Sequence, residues 1–304
     1  MDLKILDRED IDEKRWNGCV HFAISAMPYA YTWYLDNVCE EWKGIVYDNY
    51  KIVMPLVIGK KMGIEYLYQP FFTQQLGIFS TMPLNQQNID EFYNAIPKEY
   101  KYIDINFNES NYSPTSVKGE ERDNYLLELH YNYETLEQNF SKNLKRKLKK
   151  AQEEGLFVAT DVKPEQLADF YKKHTANKIK GFKEKHYYTI LRIVYKALSY
   201  QMGVILGVKN KEGELLAVNF LINHPQRIIN LLPSSSKEGL EKNAMAVLLN
   251  HIIQYNAGQK KYLDFEGSMI AGIARFYASF GAKPAKYFRI KTNHLPKILR
   301  IFKK

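Results

Sequence analysis

The segment Tyr262–Ile290, YLDFEGSMIAGIARFYASFGAKPAKYFRI, limits the fold of this chain more than any other stretch. It reads as a strand closing on two carboxylates, a helix carrying Phe276-Tyr277, a glycine stop at Gly281 and a returning strand. That succession belongs to an α/β domain, in which the helix covers a sheet formed by the strands on either side of it.

The residues before it arrive in a compatible order. Val204–Lys209, Leu215–Asn223 and Arg227–Leu232 read as strands separated by polar turns, and Asn243–Asn256 as a helix ending near Gly258. Upstream, Pro164–Lys178 and Tyr187–Tyr200 have helical periodicity. A long basic helix is expected from Leu136 to Glu154, stopped at Gly155. The first part of the chain is richer in strands. Glu41–Tyr47 and Tyr50–Ile58 flank Asp48-Asn49, a two-residue hairpin turn, and Ile64–Phe71 follows a second turn. A short helix, Asn88–Ala95, and a strand, Tyr102–Phe107, precede a polar loop over Asn108–Asp123. The expected fold class is α/β of the α+β kind: two tandem domains, each a mixed, mostly antiparallel sheet flanked by helices. The division is expected near residues 124–135, giving domains 1–130 and 131–304, although strand exchange between the halves would blur it.

Composition narrows the partners. The chain of 304 residues carries a formal charge of +9, which favours phosphate-bearing ligands without naming one. Coenzyme A, tRNA, nucleotide sugars and anionic membranes stay open. The two cysteines, Cys19 and Cys39, are read as buried thiols of a reducing cytosol, and the seven histidines have no metal-ligand spacing. No apolar run approaches a membrane span, and the charged N-terminus is no secretory signal, so a soluble cytoplasmic protein is expected.

Several residues have chemistry-bearing positions. Asp264 and Glu266 would share one face of an extended strand, where either can take a proton from a substrate ammonium, orient the amine, or cap the next helix. Ser268 is the better cap. Tyr277 lies on a helix whose apolar stripe is Ile270, Ile273 and Phe276. A phenol there serves either the core or a leaving thiolate, by protonating it or by a charge-assisted hydrogen bond. The N-terminus of the helix at Asn243 offers backbone N–H groups to a pyrophosphate, with Lys237 and Lys242 adding charge, Gly239 permitting close approach and Ala244 in the first turn. The alternative is an ordinary amphipathic helix with a polar entry loop. Asn219, alone polar within Leu215–Ile222, binds a ligand carbonyl or joins a structural network. His174, Asn177 and Lys178 share a helix face that meets substrate or solvent. The run Lys142–Lys150, KNLKRKLKK, has an apolar stripe of Phe140, Leu144, Leu148 and Ala151. Its basic face suits nucleic acid, nucleotide-sugar phosphates, a membrane surface or solvent.

Taken together, KIVMPLVIGKKMGIEYLYQPFFTQQLGIFS, NLKRKLKKAQEEGL, YLDFEGS and FYASFG resemble the FemAB-like branch of the GNAT acyltransferase superfamily, whose members hold two GNAT-like domains in tandem. The likeness spans most of Trp33–Lys291. It implies an N-acyltransferase with its donor site in the second domain and its acceptor in the cleft between domains. By this resemblance Tyr277 faces the leaving sulfur, Glu266 and Asp264 assist the amine, and Lys237, Gly239, Lys242, Asn243 and Ala244 hold the donor phosphates. Asn219, His174 and Lys178 would contact substrate, and no metal is implied. The family includes enzymes that move an aminoacyl group from tRNA to a cell-wall precursor and relatives thought to use acyl-CoA. This chain lacks the coiled-coil arm of some wall-bridge enzymes. It also has Phe276-Tyr277 where tRNA-dependent members tend to carry Phe-Lys, which favours an acyl-CoA donor and a small-molecule or cell-wall-precursor amine as acceptor. Of the superfamily's phosphate loop, Q/R-x-x-G-x-G/A, SSSKEGLEKNA keeps only Gly239. An aminoacyl-tRNA-dependent transferase and a catalytically inactive binding protein are the competing expectations; DNA is not an expected partner. The donor is expected beside the strands Leu215–Asn223 and Arg227–Leu232.

Overall fold

A computed structural model describes residues 2–267 and 269–296. Contacts divide the chain into one unit of residues 1–122 with 286–304 and a second unit, Asp123–Ala285. The first holds β1 (Leu3–Asp7), α1 (Glu13–Phe22), α2 (Thr32–Val38), β2 (Glu41–Tyr47), β3 (Ile52–Lys61), β4 (Ile64–Tyr68), β5 (Phe79–Ser80), α3 (Gln86–Asn94) and β6 (Tyr102–Asn106). Next comes β7 (Glu120–Glu128), along which the chain passes into the second unit. That unit continues with α4 (Tyr133–Gln138), α5 (Lys142–Glu153), β8 (Phe157–Ala159), α6 (Pro164–His174) and α7 (Glu184–Ser199). It then has β9 (Gly203–Lys209), β10 (Leu215–Asn223), β11 (Arg227–Asn230), β12 (Ser234–Ser235) and α8 (Lys237–Glu241). It ends with α9 (Ala244–Asn256), β13 (Tyr262–Asp264), α10 (Ala271–Ala278) and the start of β14 (Lys283–Asn293).

The expected fold class is what the structure has. In the first unit the strand order is β1-β2-β3-β4-β6-β14, antiparallel except for β4 and β6. In the second it is β7-β13-β11-β10-β9-β8, antiparallel except for β11 and β13. Each unit thus repeats one plan, with a single parallel pair joined by a crossover containing a helix, as parallel neighbours require. Each has its own core. Ile45, Met54, Leu56, Phe92, Ile103 and Phe107 anchor the first; Leu144, Leu221, Leu249, Ile253, Leu263 and Phe280 anchor the second.

The C-terminal end departs from the division at residue 130. From Lys286 the chain belongs to the first unit, because Arg289–Asn293 of β14 pairs antiparallel with β6. This is the strand exchange that blurs a linear boundary.

Three local readings are corrected. The expected helix Leu136–Glu154 is broken into α4 and α5, because the Ser141 side chain accepts from the Leu144 N–H at 3.2 Å and starts a new helix. The apolar stripe of α5 is buried as expected at Phe140, Leu144 and Ala151. The first hairpin turn has four residues, with Tyr47 opposite Ile52 and positive φ at Asp48, Asn49 and Tyr50; the tight two-residue turn is Met62-Gly63, between Lys61 and Ile64. Finally, β13 stops at Asp264, and Glu266 takes φ +55°. The two carboxylates therefore do not share the face of an extended strand.

Candidate active site

The site begins where the parallel pair comes apart. Pairing of β11 with β13 runs Arg227↔Tyr262, Ile228↔Leu263 and Ile229↔Asp264, then ends. Beyond it, Ser234 and Ser235 pair instead with Val218 and Ala217 of β10. The chain after β13 turns the other way, the Phe265 N–H donating to the Tyr125 carbonyl at 3.0 Å. Two neighbouring strands thus separate within one sheet, exposing backbone edges and side chains at the fork. The sequence reading set the donor beside β10 and β11. The structure pairs those two strands and opens the sheet on the other side of β11.

Polar side chains gather below the fork. The Arg227 Nη1 donates to Asp264 Oδ2 at 2.6 Å, with only 6% and 1% of the two side chains exposed. Asp264 Oδ1 also accepts the Glu266 backbone N–H at 2.9 Å, which secures the left-handed turn after the strand. Asp264 is therefore committed to internal partners. Asn219 Nδ2 donates to Asn230 Oδ1 at 2.6 Å, and both residues are fully buried. Tyr277, 7% exposed, stacks on Phe265 with ring centroids 4.7 Å apart. Burial pushes its phenol well above the ordinary value and the Glu266 charge adds to that, whereas hydrogen bonding with Asn230 opposes it. The same carboxylate raises the buried Tyr171 phenol, after burial itself. Glu266 thus lies electrostatically between two tyrosines.

Tyr277 is the buried residue of α10; Ile270 and Ile273, expected to be its core stripe, are 64% and 38% exposed. The helix turns Ile273 towards a cavity of about 400 Å³, whose walls also include Phe276, Tyr277, Gly239 and Asn243. Lys178 and Lys147 also line it, and neither has an ion pair among the described residues. Lys147 comes from the basic helix α5; Lys142, Lys145, Arg146, Lys149 and Lys150 of that helix are exposed. Thr175 and Ser234 join across the cavity wall, Oγ to Oγ, at 2.7 Å.

The N-terminus of α9 opens on this cavity through Asn243, which sits in the left-handed region (φ +59°) with no side-chain cap. First-turn N–H groups without a capping side chain are the usual setting for an anion. Ala244 is buried in that turn. Gly239 has a packing role as well, because a Cβ there would lie 2.0 Å from the Leu216 carbonyl oxygen. Lys242 pairs with Glu238 at 2.8 Å and is absent from the cavity wall, as is Lys237. His174 packs against Phe170 with centroids 4.5 Å apart, and its neighbour Thr175 reaches the cavity in its place. Ser268 lies outside the described residues. Of the residues singled out in the sequence, Gly239, Asn243, Tyr277 and Lys178 meet at the cavity, while Asn219, Asp264 and Glu266 group beneath it. Asn230, Arg227 and Tyr171 escaped the sequence reading, and Lys147 was singled out only as part of the basic run Lys142–Lys150. No local signal marked Asn230, because its meeting with Asn219 depends on the register of two paired strands.

Among the described residues no His, Cys, Asp and Glu cluster suits a metal, and no helix is long and apolar enough to cross a membrane. Burial pushes the Cys19 and Cys39 thiols up to about 12.

No curated protein matches the chain. A family model described as an acetyltransferase (GNAT) domain matches residues 138–268. Among solved structures, FemX is 12% identical, covers 100% of both chains and superposes with a TM-score of 0.66. L-PGS from Bacillus licheniformis is 11% identical over 95% of this chain and 94% of its own, with a TM-score of 0.55. A tandem GNAT protein from the clavulanic acid biosynthesis pathway is 9% identical over 97% and 100%, with a TM-score of 0.53. At such identities the likeness is one of fold. Residues 138–268 match the model of a GNAT acetyltransferase domain, and the fold of the chain is similar to that of FemX and of the tandem GNAT protein.

Proposed function

We propose that the protein is an N-acyltransferase that carries an acyl group from a coenzyme A thioester to an amine, with the donor in the cavity between α9 and α10. The observation that carries this reading is that the buried Tyr277 lines the same cavity as an uncapped helix N-terminus and two lysines. In this arrangement the donor's phosphates meet the first turn of α9, with Lys147 and Lys178 offsetting their charge.

The amine nitrogen attacks the thioester carbonyl carbon, a C–N bond forms, and collapse of the tetrahedral adduct breaks the C–S bond. Negative charge then develops on sulfur. A thiol holds its proton with a pKa of about 8.5, far below a buried phenol whose value is raised further. Tyr277 therefore keeps its proton and stabilises the thiolate by a charge-assisted hydrogen bond. Asn230 orients that donor. Its Oδ1 is held by Asn219 and its buried Nδ2 has no partner among the described residues, so the amide is free to donate to the phenol oxygen and leave the Tyr277 O–H for sulfur. The proton lost by the amine passes to Glu266, directly or through water, and thence to solvent or to the thiolate.

Steady-state kinetics with a panel of acyl-CoA donors and amine acceptors tests this. Tyr277→Phe should lower kcat by about 10²-fold with little change in donor KM. Unchanged turnover would remove the role given to Tyr277.

The aminoacyl-tRNA alternative is favoured by one observation, the exposed basic face of α5 beside the same cavity. Charge reversal at Lys145, Arg146 and Lys149 separates the two donors. It should abolish activity with a tRNA donor and leave an acyl-CoA reaction nearly intact.

A further inference from the structure

The first unit contains a cavity that the donor site does not use, with a volume of about 350 Å³. Tyr68 and Gln69 at the end of β4, Asp104 and Asn106 on β6, Arg122 on β7 and Arg289 on β14 contribute to its walls. It lies along the parallel pair β4 and β6, where Tyr68 stands opposite Asp104 as Ile229 stands opposite Asp264 in the second unit.

Most polar groups here already have partners. Arg289 clamps Asp104 through Nε and Nη2 at 2.6 and 2.7 Å, and Tyr102 donates to the same carboxylate at 2.9 Å. Gln69 accepts the Asn106 N–H and donates to the Thr73 carbonyl, both at 2.9 Å. Two donors are left over. Arg122 Nη2 reaches Glu120 at 2.8 Å, yet its buried Nε–H has no acceptor among the described residues. The Tyr68 hydroxyl has no hydrogen bond among the described residues, and burial raises its pKa so that it remains a donor. A buried guanidinium N–H with no acceptor is costly, and natural structures rarely keep one without a use. Of the charged residues on the cavity wall, Arg122 and Arg289 outnumber Asp104 by one.

We propose that this cavity is a binding site for a small anionic ligand, whose carboxylate or phosphate oxygens accept from the Arg122 guanidinium and the Tyr68 hydroxyl. Arginine's planar donor fork suits either oxyanion, and the tyrosine adds a second directed donor. The site lies wholly within the first unit and does not depend on the donor reading of the second.

Calorimetric titration of the full chain with N-acetylglycine, inorganic phosphate and the neutral control N-acetylglycinamide tests it. At least one of the two anions should bind at millimolar concentration, and the better of them identifies the natural oxyanion. The amide should not bind. Arg122→Gln should weaken binding about tenfold or more, and Tyr68→Phe about threefold to tenfold. Should Arg122→Gln fail to fold, Arg122→Lys, which keeps charge but loses the planar donor fork, should show the same direction. Binding of neither anion to the wild type would overturn the proposal. So would equal affinity in the wild type and the Arg122 and Tyr68 variants, the mark of nonspecific surface binding.

Discussion

At the residue scale, the chemistry turns on how burial treats individual side chains. Tyr277 was legible as a candidate because a helical phenol beside a phenylalanine carries a polar tip on an apolar body. Its partner Asn230 was not legible. Nothing in Arg227–Asn230 announces that one amide will meet another from Leu215–Asn223, since cross-strand register depends on tertiary pairing. Asp264 and Glu266 show the opposite error: alternation put them on one face, but the left-handed Glu266 turns them apart. Asp264 is predicted to be structural. Arg227→Met, which strands its buried carboxylate, should destabilise the protein by about 3–5 kcal/mol in denaturant unfolding. Asp264→Asn should reduce stability more than it reduces turnover. The raised Tyr277 pKa has a definite sign. Below an unfolded-chain value of about 10 the phenol is neutral in both states; above it the unfolded chain ionises first. The stability this group contributes is therefore lost as pH rises from there towards its folded value, and Tyr277→Phe should flatten that alkaline decline.

At the element scale, the crossover between β11 and β13 does the positioning. Gly239 lets α8 lie against β10, and α8 in turn directs the uncapped start of α9 at the cavity. Gly239→Ala, with its Cβ 2.0 Å from a backbone oxygen, should cost about 1–3 kcal/mol of stability and weaken donor binding together. The helix α9 was readable from its period, because Leu248, Leu249, Ile252 and Ile253 are all buried. The short α8 was not readable: Lys237–Glu241 is too brief for a periodic signal and includes a glycine. The basic helix α5 divides its charges by face. Lys147 turns to the cavity while its neighbours meet solvent. Accordingly, Lys147→Ala with Lys178→Ala should raise the donor KM about tenfold and leave kcat nearly unchanged.

At the scale of the whole molecule, the chain repeats a sheet plan and varies its use. Each unit carries one parallel pair, but the second opens it beside a largely apolar cavity and the first lines it with arginines, tyrosines and one carboxylate, Asp104. The order of the longer strands and helices in the second unit, β9, β10, α6, α7 and α9, was legible because those elements are long enough to show their period. The boundary was less so, since β14 begins in one unit and ends in the other, and no local composition marks that passage. The central claim is that a coenzyme A thioester binds at the α9 N-terminus of the second unit. Calorimetric titration of free coenzyme A into the wild type and the Lys147→Ala, Lys178→Ala double variant tests this most directly. The account predicts saturable binding to the wild type, weakened about tenfold in the variant. No binding of coenzyme A, with saturable binding of an aminoacyl-tRNA to the same protein, would contradict it.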